Sequence, residues 1–300
     1  MEFVVTLIAA PGDELEAGIV AEAAARLNAL GAETGRPDWL AEGLACDLGF
    51  DGLSADQADA AVRMSLDGAP VDVIAQRADG RRKKLLIADM DSTIVTSETL
   101  TDVAEAAGKA NVIAAITDRV MRGELNFEDS LRERVAMLEG LSETALETAY
   151  RAIEVSPGAE ALVRTMAASG ATTALVSGGF TYFTSRIAAR LGFDINMAND
   201  FIIKDGKLTG KVTEPILGRT SKYDALVKLA AQNGLGLADA AAVGDGANDL
   251  EMIQAAGLGC AYRGKPILRD AARVKLDHAD LTGLLYAQGF RRDQFAGTPA

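Results

Sequence analysis

Histidine is nearly absent from this 300-residue chain: His278 is the only one. No histidine cluster can therefore hold a metal, and a Ser-His-Asp triad would rest on that one ring, which reads as a surface or edge residue. Cysteine is almost as scarce. Cys46 and Cys260 stand too far apart for a C-x-x-C site or a disulfide framework, which suits a reducing compartment, and both read as small buried apolar residues. Six positions after them stand Gly52 and Pro266, not the arginine of a cysteine-based phosphatase. Positive charge is in deficit, with 30 Lys+Arg against 43 Asp+Glu and a net charge of −13. Without a basic run of five or more, the chain lacks the footprint of a nucleic-acid or anionic-membrane binder. No apolar run approaches the ~18 residues of a membrane span, and the opening residues turn acidic without a basic leader, so a cytoplasmic protein is expected.

What the chain does have is apolar material for a core, 49% of its residues, and a clear change of pattern near residue 80. Before it, Phe3–Ala9 reads as a strand, Glu14–Leu30 as a helix and Trp39–Phe50 as a mixed stretch. A helix capped by Ser54 follows over Ser54–Leu66, then a strand over Val71–Gln76. Residues 1–80 are thus expected to form a small α+β domain of about three strands. Asp79-Gly80 followed by four basic residues marks the boundary.

From Leu85 onward, short apolar runs alternate with helical segments: LLIAD, TTALVS at 172–177, AAAVGD at 240–245 and LGCAY at 258–262. This is the grammar of a doubly wound α/β domain with a Rossmann-like parallel sheet, expected over 81–290, with 291–300 as a C-terminal tail. Between the first two strands, Thr99–Thr117, Phe127–Leu138 and Ser142–Ile153 carry helical spacing, too much for one crossover. A helical cap insertion over about 97–155 is expected. Ile195–Val212 alternates around Asp205-Gly206 and reads as a β-hairpin.

Ligands of open α/β sheets bind beyond the carboxyl ends of the strands. The residues there are Asp89-Met90-Asp91-Ser92-Thr93, Ser177-Gly178-Gly179 and Gly244-Asp245-Gly246-Ala247-Asn248-Asp249. Asp89, Asp91, Asp245 and Asp249 at one edge would repel one another unless a cation sat among them, and a hard ion with oxygen ligands, Mg²⁺, is the simplest one. A carboxylate ending a strand can act as a nucleophile, and a second carboxylate two residues later emerges on the same side, where it can work as acid and base. That division suits Asp89 and Asp91. A phosphoryl group in transfer also needs donors and a cation, which Ser177, the Gly178 amide and Lys222 can supply.

These residues resemble the four motifs of the haloacid dehalogenase superfamily. More closely, DMDSTIVTSE (89–98), LNFEDSLRERVAMLEG (125–140), VSGGF (176–180), GRTSKYDAL (218–226) and VGDGANDLEM (243–252) resemble the phosphoserine phosphatases, from about Leu85 to about Tyr286. The resemblance implies a Mg²⁺-dependent hydrolysis of O-phosphoserine through an aspartyl-phosphate, the last step of serine biosynthesis. It implies Asp89 as nucleophile and metal ligand, and Asp91 as acid/base that binds metal through its carbonyl. Asp245 would complete the metal shell, with Asp249 behind it. On the substrate it implies Glu98 at the ammonium, Arg134 at the carboxylate and Asn248 at the phosphate, with Met121 and Phe127 as an apolar wall. Residues 1–80 resemble an ACT-type small-molecule sensor, short of one strand, and a dimerising or stabilising appendage is the other reading.

Two alternatives stay open at this level. The same acyl-phosphate chemistry would serve a phosphotransferase or an enzyme acting on another small ester. A serine-sensing module with a vestigial catalytic half belongs to a different class.

Overall fold

The structure, a computed structural model, describes every residue except 67, 110, 112, 114, 117, 118, 120–123 and 298–300. Residues 1–80 build a sheet of five strands among the described residues: β1 (Phe3–Ala9), β2 (Glu33–Thr34), β3 (Asp38–Ala41), β4 (Ala45–Asp51) and β5 (Val71–Arg77). Their order is β2-β4-β1-β5, with β3 also on β4, and β1 runs antiparallel to both of its neighbours. About three strands were expected. The stretch Trp39–Phe50 is in fact the β3–β4 hairpin, turning at Gly43 with φ +65. β2 and β3 each lean on β4 alone and are too short to carry a readable alternation.

Helices α1 (Ala17–Ala29) and α2 (Ala55–Ser65) cover one face of this sheet. Ser54 caps α2 as expected: its Oγ accepts from Gln57 N–H at 3.2 Å, while the Gln57 side chain accepts from Ser54 N–H at 3.0 Å. On that face Val5, Leu7, Leu48 and Phe50 pack with Ala23, Leu27 and Val62, each buried large side chain contributing about 1.5–3 kcal/mol. The opposite face is covered too, because Ile8, Leu40, Ala45 and Ile74 share a core with Leu284 and Tyr286 of the larger domain. A strand apolar on both faces explains why Phe3–Ala9 shows no polar alternation. Buried Asp72 of β5 reinforces this contact, its carboxylate accepting the backbone N–H groups of Asp277, His278 and Ala279. His278 itself is exposed. Arg291, placed in the expected tail, pairs with Asp38 at 2.7 Å and donates to the Trp39 carbonyl.

The larger domain centres on a parallel sheet of six strands among the described residues. They are β6 (Leu85–Ala88), β7 (Thr172–Phe180), β8 (Ile195–Asn199), β11 (Ala240–Gly244), β12 (Leu258–Tyr262) and β13 (Val274–Leu276), in the order β13-β12-β11-β6-β7-β8. The chain starts in the middle at β6, winds to one side through β7 and β8, then to the other through β11, β12 and β13. The switch point therefore lies between β6 and β11. Helices α6 (Ala159–Ala168), α7 (Thr181–Leu191), α8 (Ser221–Gln232), α9 (Leu250–Ala255), α10 (Pro266–Ala271) and α11 (Gly283–Ala287) complete the domain.

Two features differ from expectation. Ile195–Asn199 joins the parallel sheet as an edge strand, and only β9 (Phe201–Lys204) and β10 (Lys207–Val212) form the hairpin, turning at Asp205 (φ 52) and Gly206 (φ 71). β13 was not anticipated either, since three residues at a sheet edge show no period.

The cap includes α3 (Thr99–Ala106), α4 (Phe127–Ala136) and α5 (Glu143–Ala152), and among the described residues Leu131, Val135, Leu138 and Leu146 are buried against Val103 and Leu208. The single helix expected over Thr99–Thr117 is interrupted: α3 ends at Ala106, followed by Gly108 with φ +70. The α4–α5 connection is joined to the β9–β10 hairpin by Gly140 N–H to Leu208 O, Leu208 N–H to Leu141 O and Glu143 N–H to Gly206 O, each 2.9 Å. Met121, expected in the cap wall, lies outside the described residues. Among the described residues no helix is long and apolar enough to cross a membrane.

Candidate active site

The switch point brings the acidic motifs together. Asp89 directly follows β6, and its N–H continues the ladder by donating to Val243 O of β11 at 3.0 Å, so its backbone is locked to the strand that ends before Asp245. Carboxylate oxygens of Asp89, Asp245 and Asp249, all buried, lie within 4.8 Å of one another. Between Asp89 and Asp249 sits Lys222, from the first turn of α8, 2.6 Å from Asp89 Oδ2 and 2.5 Å from Asp249 Oδ1. Part of the cation demanded by the crowded acids is thus supplied by the chain itself.

Each acid has a different environment, which separates their roles. Asp249 is saturated: Lys222 holds one oxygen, and Asp245 N–H (3.1 Å) and Gly246 N–H (3.0 Å) donate to the other. That closeness requires Gly244, where a Cβ would collide with the Asp249 carboxylate. Asp249 therefore braces the site from behind. Asp91 faces the cap, its Oδ1 accepting Thr99 N–H at 2.8 Å and its Oδ2 the Ser177 hydroxyl at 3.3 Å. Asp245 Oδ2 pairs with Lys265 Nζ at 3.0 Å.

Burial pushes the Asp89 carboxyl well above the usual range, Asp249 and Asp91 add to this, and Lys222 opposes it. Burial likewise raises Asp91, with Glu98 adding and the Thr99 amide opposing, to about 6. For Lys222, burial is outweighed by Asp89 and Asp249, and its ammonium is held charged. At formal charges, the four aspartates carry −4 against +2 from Lys222 and Lys265. The remaining −2 and a donor set of oxygens alone fit a hard divalent cation where the Asp89, Asp245 and Asp249 carboxylates converge.

The side of the acids that faces the cap is built by β7 and the cap. Ser177 Oγ accepts Gly179 N–H at 2.9 Å, and Asn199 at the end of β8 donates from Nδ2 to Gly178 O at 2.9 Å, fixing this turn over the acids. A Cβ at Gly178 would stand 2.9 Å from Phe127 Cζ, so glycine there lets the cap residue seat directly on the core. Half-buried Arg134 has no ion-pair partner among the described residues, donating only to Ser130 O at 3.3 Å. Burial lowers its guanidinium, and Glu98 and Asp91 raise it. Glu98 is exposed and accepts the Ser92 hydroxyl at 2.8 Å. Asn248 is exposed beside Gly246.

The described residues expected at the site gather beyond the carboxyl edge of the sheet, while Lys265, Asn199 and Ser92 were not singled out beforehand. Lys265 follows the β12 end and precedes Pro266 at the start of α10, so the strand-end rule applied to LGCAY would have found it.

A family model for the haloacid dehalogenase-like hydrolase matches residues 86–254. The phosphoserine phosphatase of Streptomyces coelicolor is 36% identical over 293 residues, covering 96% of this chain and 72% of that protein. The structure of a probable phosphoserine phosphatase from Vibrio cholerae, in unliganded form, is 31% identical with a TM-score of 0.79, covering 98% of this chain and 88% of that one. A phospho-aspartyl intermediate analogue of a phosphoserine phosphatase is 41% identical with a TM-score of 0.63, covering 68% of this chain and 98% of that one. With these motifs at its switch point, the chain belongs to the phosphoserine phosphatases of the haloacid dehalogenase-like hydrolase family.

Proposed function

We propose that this protein hydrolyses O-phospho-L-serine to L-serine and phosphate, the last step of L-serine biosynthesis, with Mg²⁺ as its cofactor. The observation that carries the reading is Asp89 locked at the end of β6, one oxygen held by Lys222, with Asp91 beside it on the cap side. Asp89 attacks phosphorus, the P–O bond to the seryl oxygen breaks, and Asp91 gives that oxygen its proton. Asp91 then takes a proton from water, whose oxygen attacks the aspartyl-phosphate, releasing phosphate and restoring Asp89. An Asp91 pKa raised to about 6 suits a group that must both give and accept a proton near neutrality. The Mg²⁺ supplies positive charge against which a carboxylate can approach a phosphate dianion.

Lys222, Ser177 Oγ and the Gly178 N–H serve the phosphoryl oxygens, with Asn248 at the same end. Arg134, without an internal carboxylate, suits the substrate carboxylate through a bidentate fork, and Glu98 suits the ammonium. Phe127 closes the apolar side of the pocket and, with the cap, excludes bulk water. We read residues 1–80 as a stabilising part of the enzyme, since both faces of their sheet are already covered, rather than as a detached sensor. The intact set of acids speaks against a vestigial catalytic half.

Phosphate release from O-phosphoserine, with and without chelator and beside a panel of other esters and alcohol acceptors, tests the reading. Chelator-sensitive release of free serine and phosphate is expected. Another preferred ester, or phosphate passed to an alcohol in place of water, overturns it.

A further inference from the structure

The turn after Asp89 contains a backbone feature that the reaction scheme leaves unused. Ser92 adopts φ 55, ψ 6, in the left-handed region that is costly for an L-residue and cheap for glycine. One of the other non-glycine positive-φ residues among those described, Asp205, occupies a hairpin turn that demands this conformation. At Ser92 the conformation turns the side chain toward the far end of its own loop. Its N–H donates to Ser97 O at 3.1 Å and its hydroxyl to Glu98 Oε1 at 2.8 Å. The hydroxyl is what serine adds over the glycine that would fit this backbone more easily.

Glu98 needs such a tether. It is exposed, on a long flexible stem, directly before α3, and the charge of Asp91 opposes its approach to the reacting centre. The next residue, Thr99, donates its backbone N–H to Asp91, so this loop places Glu98 beside the acid/base group, and the positive charge of Arg134 acts on both carboxylates. We propose that Ser92 is a positioning residue for Glu98, and that through it the loop selects phosphate monoesters carrying an ammonium group over those without one. This rests on the phosphoserine reading above and deepens it.

The test compares O-phosphoserine with 3-phosphooxypropionate, the same ester without its amine, in wild type, S92G, S92A, E98Q and the double variant S92G/E98Q. S92G keeps the left-handed turn at no backbone cost, so it isolates the hydroxyl; S92A removes the hydroxyl and keeps the strain. The preference in kcat/KM for the amine-bearing ester is expected to fall about tenfold in both, the worth of one hydrogen bond to a charged group, mostly through KM. In the E98Q background S92G is expected to change that preference less than twofold, because the two residues act as one unit. An unchanged preference in S92G, an equal loss on both esters, or full additivity with E98Q overturns the proposal. Failure of the wild type to favour O-phosphoserine would instead overturn the phosphoserine reading, and the proposal with it.

Discussion

Lys222 Nζ lies 2.6 Å from Asp89 Oδ2, with both side chains almost wholly buried. The same ammonium reaches Asp249 at 2.5 Å, so a single cation holds two acids from different strand ends in one pocket. Removing it leaves two uncompensated charges. Lys222→Met is expected to destabilise the metal-free protein by about 3–5 kcal/mol, read as a lower urea midpoint in chelator, with Mg²⁺ recovering part of the loss. A midpoint equal to wild type would show that Lys222 does not balance these acids.

Asp89→Asn removes the proposed nucleophile, a buried carboxyl whose charged form burial disfavours. Turnover of O-phosphoserine is expected to fall by roughly 10³-fold or more while the melting temperature holds or rises. Retained activity would place the covalent chemistry on another residue.

The pH dependence has a definite sign. Asp89 and Asp91 both have folded-state values above those of an unfolded aspartate, Asp91 at about 6. Between the unfolded value and these raised values the folded protein binds protons that the unfolded chain has released. Their contribution to stability is present at low pH and lost as pH rises through the raised values. Melting in chelator and in Mg²⁺ from pH 5 to 8 is expected to show a stabilisation by Mg²⁺ that grows with pH. A constant difference would show that these acids do not meet the ion.

Gly178→Ala would bring a methyl group to 2.9 Å from Phe127 Cζ. The cap then cannot seat fully, and a rise of about tenfold in KM for O-phosphoserine is expected, partly relieved by Phe127→Leu in the same chain. Equal kinetics in Gly178→Ala and wild type would show that this contact does not set cap closure.

Arg134→Ala is expected to lower kcat/KM for O-phosphoserine by about 10²-fold and to leave an ester without a carboxylate within a few-fold, because only the former loses a charged partner. Equal losses on both esters would remove Arg134 from substrate recognition.

Much of the site was legible because chemistry marked it locally: Asp89, Asp91, Ser177, Asp245 and Asp249 follow apolar runs that could only be buried strands. The helix capped at Ser54 was legible for the same kind of reason, a polar cap and a glutamine three residues on. The short edges were not. β2, β3 and β13 are too brief for a period, and β8 was absorbed into the hairpin beside it.

By itself, then, the sequence determined the alternation of buried strands and helices, the residue types that meet at the strand ends and the change of pattern near residue 80. These depend on local periodicity and composition. Only the tertiary structure decided that Lys222 stands between Asp89 and Asp249, that Lys265 pairs with Asp245, and that the second face of the amino-terminal sheet is buried against Tyr286. Each depends on distances between side chains far apart along the chain, set by strand order and helix packing, which no short window of residues contains.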